Sequence, residues 1–357
     1  MPKFFPIKVK DVYKETDDCS VVTFDIPEKL KSDFSYHQGQ HLTLKKDING
    51  EDVRRSYSLC SSPVDDEWKV AVKQIFEGKF STYVNEELKT NEVLEVMPPS
   101  GEFGVDVQQE VENTYLFFAA GSGITPILSM IKTHLAKEPK ATCKLFYLNK
   151  NAKSIIFKEE IEQIRNKYFG RLEIFYFLTR EQRDIELLNG RFTPEKIQTL
   201  AHTVFDVEEV SDVFICGPEQ MIFMIRDELT ELGLSKNSIH YELFVSGLSE
   251  EDKKKAEAAM AKRKDGTQIT ILDGGKEFHF AMTKEYDNIL DAALAAGADL
   301  PFACKGGVCS TCKCRVKEGN VEMKLNYALE KEEVAQNLVL SCQAVPTTDQ
   351  VTVDFDV

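Results

Sequence analysis

Four cysteines pose the first chemical question. Cys304, Cys309, Cys312 and Cys342 stand in PFACKGGVCSTCKCRV and VLSCQA, spaced C-x4-C-x2-C with a fourth cysteine 30 positions further on. Three thiolates from one tight loop and a fourth from a distant segment can converge on two irons, and this spacing suits a [2Fe–2S] cluster. Gly306 and Gly307, inside the first gap, let the backbone run close over such a cluster and aim N–H groups at its sulfurs. Structural zinc is the competing use of four cysteines, but it favours two close pairs separated by a longer span. Cys19, Cys60 and Cys143 lie in apolar, strand-like segments and read as small packed hydrophobes. Cys314, two residues past a ligand, is expected to turn its side chain elsewhere.

A second set of residues suits phosphates and flat rings. AAGSGITPILSMI follows an apolar strand and opens a helix. Gly121 and Gly123 permit a tight turn, Thr125 can cap, and Pro126 suits the first helical position. The N–H groups and positive dipole end of such a helix suit a pyrophosphate. Pro126 takes the third slot of the usual G-x-G-x-x-G pattern, so taken alone the segment could equally be an ordinary glycine-rich turn. Arg55, Tyr57 and Ser58, in RRSYS, offer a guanidinium for a phosphate, a ring for stacking and a hydroxyl for a ring nitrogen. A polar edge strand with a packed tyrosine is the plainer reading. Gly78 and Ser81, in GKFS, precede a short helix and fit either a phosphate or a simple cap.

These groups need scaffolds, and the chain's texture changes to provide them. Its 357 residues imply two or three domains. From Pro6 to about Val107 it reads as six short β-segments with little helix, an antiparallel barrel or sandwich. From Tyr115 to Phe244 apolar runs alternate with helical stretches, the pattern of a parallel α/β sheet covered on both faces. Residues 245–266 read as a charged, partly helical linker. A hairpin around Gly274-Gly275, a helix from Asn288 to Ala296, the cysteine loop and a closing strand VTVDFDV follow. The expected domains are therefore 1–107, 108–244 and 267–357. With 44 basic against 59 acidic residues, the net charge of −15 argues against binding nucleic acid. No secretory signal and no apolar run of 18 residues is apparent, so a cytoplasmic protein with no membrane partner is expected.

Taken in order, RxYS at 55–58, GxxS at 78–81, GSGITP at 121–126 and Cys216-Gly217-Pro218 resemble the ferredoxin–NADP reductase family of flavoproteins. A plant-type ferredoxin segment at the C-terminus is similar to the branch that supplies oxygenases with electrons. The resemblance implies an antiparallel β-barrel flavin domain, an NAD(P)-binding α/β domain and an α+β, β-grasp-like [2Fe–2S] domain. It implies Arg55 at the FAD pyrophosphate, Tyr57 against the isoalloxazine and Ser58 near its N5, with Gly78 and Ser81 as a second phosphate element. Gly121, Gly123, Thr125 and Pro126 would hold the nicotinamide-nucleotide pyrophosphate. Cys216, Gly217 and Pro218 would lie beside the nicotinamide, with Cys216 orienting hydride transfer unless it is a core cysteine. Arg180 follows Thr179 at the end of a strand where NADPH-using relatives place Ser/Thr-Arg for the 2′-phosphate, which favours NADPH over NADH; a solvated loop arginine is the alternative. For the second flavin face, Phe244 is the candidate.

Domain order then implies a path. A nicotinamide gives two electrons as one hydride, a cluster accepts one at a time, and flavin can do both, so electrons would run NADPH, FAD, [2Fe–2S], then an external protein. The resemblance implies a di-iron oxygenase component of a multicomponent complex as acceptor, since the chain holds no Glu-x-x-His di-iron pattern of its own. A ring- or steroid-hydroxylating oxygenase, or a redox-sensing role without turnover, are the alternatives. Residues 267–357 hold fourteen acidic and eight basic side chains, which suggests an acidic docking face around the cluster.

Overall fold

Segments rich in Val, Ile and Phe, separated by turn formers, become six antiparallel strands: β1 (Phe5–Thr16), β2 (Cys19–Asp25), β3 (His41–Ile48), β4 (Glu51–Ser58), β5 (Trp68–Lys73) and β6 (Val93–Val96). Asn49 and Gly50, between β3 and β4, both adopt positive φ, as a two-residue hairpin turn with matching twist requires. The sheet order is β4-β3-β6-β1-β2-β5. Just past β4, Leu59 bridges to Val70 of β5, and Cys60 N–H donates to the Lys69 carbonyl at 2.9 Å. The edge strands thus meet and the sheet closes into a barrel. Its interior is filled by Ile7, Val22, Phe24, Leu42, Leu44 and Val70, and helix α1 (Lys79–Glu86) adds Phe80 and Tyr83.

The next stretch alternates strand and helix. Strands β7 (Thr114–Ala120), β8 (Thr142–Asn149), β9 (Leu172–Leu178), β10 (Asp212–Gly217) and β11 (Ile239–Leu243) are joined by α2 (Ile124–Lys137), α3 (Lys158–Lys167), α4 (Pro194–Thr203) and α5 (Glu219–Glu231). All four strand pairings are parallel, in the order β11-β10-β7-β8-β9. Phe118, Phe146 and Phe175 lie opposite one another across three strands and stack at 4.6 and 5.2 Å, the aromatic ladder of a sheet buried by helices. The strand order reverses between β7 and β10, which opens a crevice at their carboxyl ends.

In this computed structural model, which describes residues 4–244 and 250–357, the chain divides into two compact units. One is built mainly from residues 4–53 and 57–244, the other mainly from residues after 244. The second unit holds α6 (Glu250–Ala261), β12 (Thr267–Asp273), β13 (Lys276–Met282), α7 (Ile289–Ala295), β14 (Lys313–Glu318), β15 (Val321–Met323), α8 (Lys331–Ala335), β16 (Leu338–Leu340), β17 (Ala344–Pro346) and β18 (Gln350–Asp354). Its main sheet is mixed, in the order β13-β12-β18-β14-β16, with β12 and β18 parallel. Helix α7, capped by the Asn288 side chain accepting from Asp291 N–H at 2.8 Å, buries Ile289 and Leu290 against Ile269, Ile271 and Val353. A helix packed on a mixed sheet makes this unit α+β.

Of the segment expected as a linker, residues 245–249 lie outside the described residues. The remainder is bound to the second unit. Helix α6 buries Asp252 and Ala259 and lies against β15, Lys262 pairs with Glu322 at 3.0 Å, and Lys264 N–H donates to the Pro346 carbonyl at 3.0 Å. Small, buried Ala259 allows that close approach despite the weak apolar periodicity. Among the described residues, no helix is long and apolar enough to cross a membrane.

Candidate functional site

The crevice of the parallel sheet is built from glycines that bring two chain segments into contact. After β7, Gly121 takes φ +54, its carbonyl accepting from the Tyr147 hydroxyl at 2.9 Å. A Cβ on Gly123 would lie 2.2 Å from the Cys216 carbonyl oxygen, and one on Gly217 would meet Met221 Cε at 2.7 Å and Ala120 Cβ at 3.0 Å. Only glycine lets the 121–126 turn press against Cys216-Gly217-Pro218. A 3-10 turn over Gly121–Gly123 runs directly into α2, and no side chain caps its N-terminus. This corrects the reading of two residues. The Thr125 hydroxyl donates to the Ser122 carbonyl at 3.0 Å instead of capping, and Pro126 is the third residue of α2. Because Ile124 N–H already bonds the Gly121 and Ser122 carbonyls, the donors that no side chain caps lie at the head of the Gly121–Gly123 turn, a place suited to an anion.

Across β10 the same rim carries a polar pair. Ser58, buried at the end of β4, donates its hydroxyl to Glu242 Oε2 at 3.1 Å. Glu242 lies opposite Cys216 in the β10–β11 register. It is half-buried, and desolvation of its carboxyl pushes it up to about 7, the Ser58 hydrogen bond pulling the other way. Burial, then the neighbouring Glu242, raises the fully buried Cys216 thiol well above its ordinary value. Cys216 is therefore a neutral thiol at neutral pH, able to orient but not to act as a nucleophile. Ser58 and Cys216 were visible in sequence. Glu242 was not, and its signal is a carboxylate inside IHYEL, at the carboxyl end of a strand. Phe244 follows two residues later, its N–H on the Gly217 carbonyl at 3.3 Å, and packs against the α/β core.

Around this centre lie the other phosphate-suited residues. Tyr57 stands beside Phe80, ring centroids 5.9 Å apart, and Arg55 is exposed, its Nη1 folded back on the Arg54 carbonyl at 2.6 Å. Gly78 heads α1 without a side-chain cap. The Ser81 hydroxyl accepts from Ile75 N–H at 3.2 Å and donates to the Gly78 carbonyl at 3.1 Å, so it staples this loop and its proton is already committed. At the far side of the crevice Thr179 and Arg180 are exposed, their N–H groups bonded to the carbonyls of Asn149 and Lys150 at 3.0 and 2.8 Å. Asn149 is buried at the end of β8 with its side-chain amide turned toward the Tyr147 hydroxyl, and in the strand order it sits between the glycine turn and Arg180. Sequence reading missed it too.

The second unit brings the four cysteines together in two pairs. Cys304 lies beside Cys309, and Cys312 beside Cys342, near enough to share a proton. Gly306 N–H points at Cys304 Sγ at 3.2 Å, and Cys304 N–H at Cys309 Sγ at 3.4 Å. Contact with Cys309 and the N–H groups of Gly306, Val308 and Cys309 pulls the Cys304 thiol down to about 6. Contact with Cys312, then Gln343 and Gly307, lowers Cys342. The partner in each pair moves the other way, contact with Cys304 and burial pushing Cys309 well up and contact with Cys342 and burial pushing Cys312 well up, so each pair shares its charge. The N–H donors favour the thiolate form that ligates iron. All four cysteines lie on the loop and the segment after β16 that it packs against. Lys305 at φ +52 and Gly307 at φ +79 turn the loop inward. The Gln343 amide holds it by donating to the Lys305 carbonyl at 2.9 Å. Cys314 pairs with Val339 in β14–β16 and is fully buried in the core.

Comparison with known proteins matches this geometry. The Oxidoreductase FAD-binding domain family matches residues 6–104, the Oxidoreductase NAD-binding domain family 117–227, and the 2Fe-2S iron-sulfur cluster binding domain family 271–347. The chain is 40% identical to a subunit of the 1,2-phenylacetyl-CoA epoxidase of Escherichia coli over 356 residues, covering 100% of this chain and 99% of that one. It is 33% identical to the ferredoxin reductase component of 3-ketosteroid-9-alpha-monooxygenase of Rhodococcus rhodochrous over 355 residues, 98% of this chain and 96% of that one. The fold is that of phthalate dioxygenase reductase, with a TM-score of 0.60 at 20% identity, over 99% of this chain and 98% of that one.

Proposed function

From the premise that this chain belongs to the ferredoxin–NADP reductase family, in the branch carrying FAD-binding, NAD-binding and [2Fe–2S] domains, we propose that it feeds electrons from NADPH to the di-iron oxygenase that epoxidises phenylacetyl-CoA. The observation that carries this reading is full-length identity of 40% to one chain of that epoxidase, in a protein holding the three domain families in this order. When bound, the nicotinamide supplies a hydride, the flavin accepts it and releases electrons singly, and the cluster passes them on. What this chain contributes is placement.

Arg55, now on the Arg54 carbonyl, would hold the FAD pyrophosphate, Tyr57 would cover the isoalloxazine, and Gly78 with the uncapped start of α1 would hold a phosphate that Ser81 positions through the loop. Gly121 and Gly123, with Thr125 and Pro126 shaping the start of α2, seat the pyrophosphate of the nicotinamide nucleotide. Arg180 faces its 2′-phosphate. Gly217 and Pro218 bring Cys216 to the edge of the nicotinamide. Ser58 reaches toward flavin N5, and Glu242 controls what it can donate. An ionised Glu242 accepts the Ser58 proton and holds it, whereas a protonated Glu242 can itself donate to Ser58 and free that hydroxyl. Cys304, Cys309, Cys312 and Cys342 ligate the cluster.

The test is reconstitution. With purified phenylacetyl-CoA epoxidase oxygenase, phenylacetyl-CoA and oxygen, the reading expects NADPH consumption coupled to epoxide formation. Turnover only with a ketosteroid hydroxylase would move the acceptor. Reduction of neither flavin nor cluster by either nucleotide would leave a redox-sensing role.

A further inference from the structure

Helix α2 does more than begin at the pyrophosphate turn. One turn into it, Ser129 and Thr133 are buried against the barrel's Ser61-Ser62 turn. The Ser129 hydroxyl donates to the Ser61 carbonyl at 2.6 Å. The Thr133 hydroxyl donates to the Ser129 carbonyl at 2.7 Å, so its single proton is spent. In the 2.7 Å contact between Thr133 Oγ1 and Ser62 Oγ, Ser62 must therefore be the donor. Its oxygen meanwhile accepts from Val64 N–H at 3.3 Å. Every proton in this buried set has a definite direction.

The barrel side is stiff. Ser62 N–H donates to Asp65 Oδ2 at 2.9 Å, completing a reciprocal capping box closed over Pro63, and the Ser61 hydroxyl donates to the Glu67 carbonyl at 2.8 Å. Lys132, between Ser129 and Thr133 on α2, pairs with both Asp65 and Glu160. The Ser61-Ser62 turn lies three and four residues beyond Ser58 along the flavin strand. Ser129 lies four residues beyond Thr125, about 6 Å along the helix. Beside the contact of Ser58 with Glu242, which lies opposite Cys216, a second, hydrogen-bonded route from flavin strand to nucleotide turn thus runs through these hydroxyls. Apolar packing tolerates sliding because it is non-directional; short hydrogen bonds with fixed donors do not.

We propose that Ser129 and Thr133 are positioning residues for hydride transfer, pinning the nucleotide turn at the start of α2 to the barrel strand that carries Ser58. The inference rests on the proposed function. Near-attack geometry is sensitive on the scale of about 1 Å, so loosening this pin should cost rate more than affinity.

The experiment uses FAD- and cluster-loaded protein, comparing wild type with Ser129→Ala/Thr133→Val, which keeps volume at 133, and with Thr133→Ser, which keeps its hydroxyl. Anaerobic stopped-flow with NADPH should show flavin reduction slowed by about ten-fold in the double variant, with nucleotide Kd within two-fold and FAD content unchanged. The long-wavelength charge-transfer absorbance of the flavin–nucleotide complex should fall in parallel, and amide exchange should quicken at residues 59–65 and 127–135. Thr133→Ser should keep both rate and absorbance at wild-type values. Wild-type rate and charge-transfer absorbance in a double variant whose Tm has dropped would overturn the inference, leaving a structural clamp. If wild type itself takes no electrons from NADPH or NADH, the proposed function fails first and the inference falls with it.

Discussion

The nucleotide crevice and the cysteine loop are built on opposite principles. At the loop the ligands are side chains, and four residue types at fixed spacing nearly define the site. At the crevice the ligand-facing groups are backbone N–H donors and small polar side chains gathered from β4, β8, β10, β11 and the head of α2. No single one of these has a telling identity. Metal sites are therefore legible in one dimension, whereas nucleotide sites are legible only once the sheet order is known.

The sharpest way to break that contrast is to remove one sulfur. Cys342→Ser should abolish the cluster's visible absorbance and its iron while leaving NADPH-driven flavin reduction intact. Cys314→Ser, buried in the sheet core, should leave the cluster spectrum unchanged. Loss of flavin reduction in the first variant, or of iron in the second, would show that the two sites are not built separately.

At the crevice the corresponding lesion is a single methyl group. In Gly123→Ala the new Cβ must displace the Cys216 carbonyl from 2.2 Å, which parts the two segments by about 1 Å and should slow flavin reduction by about 100-fold, with the cluster spectrum unaltered. A smaller effect is expected at the rim. Arg180→Gln should raise the KM for NADPH by about ten-fold through loss of a charge-assisted phosphate contact, with NADH kinetics unchanged; equal effects on both would return Arg180 to a solvated loop.

The smallest effect is on pH. Because Glu242 is held at about 7 against an ordinary 4.5, the folded protein binds a proton there that the unfolded chain has lost. Stability should fall as pH rises from about 4.5 through 7. Glu242→Gln removes that loss, so its Tm relative to wild type should rise between pH 5 and pH 8. Wild-type flavin reduction should slow a few-fold over the same rise as ionised Glu242 retains the Ser58 proton, and the variant should be flat.

The same contrast explains what could be read from sequence. The six barrel strands were legible because their β-formers partly alternate with polar residues between turn formers, and the cysteine loop because ligation dictates residue type. Strand β11 was not, since IHYEL is five residues with His and Glu among them, and its place beside β10 depends on sheet order. Glu242 and Asn149 went unseen for the same reason: each takes its meaning from neighbours on adjoining strands. Thr125 and Pro126 were misplaced within the turn because the 3-10 lead-in at Gly121 shifts where α2 starts. Beyond residue 249 the segment expected as a linker belongs to the second unit because α6 buries Asp252 and Ala259 where it meets β15, a tertiary gain that charge composition conceals.

The central claim is the order of electron flow, and anaerobic stopped-flow absorbance tests it most directly. NADPH mixed with wild-type holoprotein should bleach the flavin first and the cluster afterwards, with Cys342→Ser showing only the first phase. Cluster bleaching that precedes flavin reduction, or that survives removal of FAD, would contradict the account.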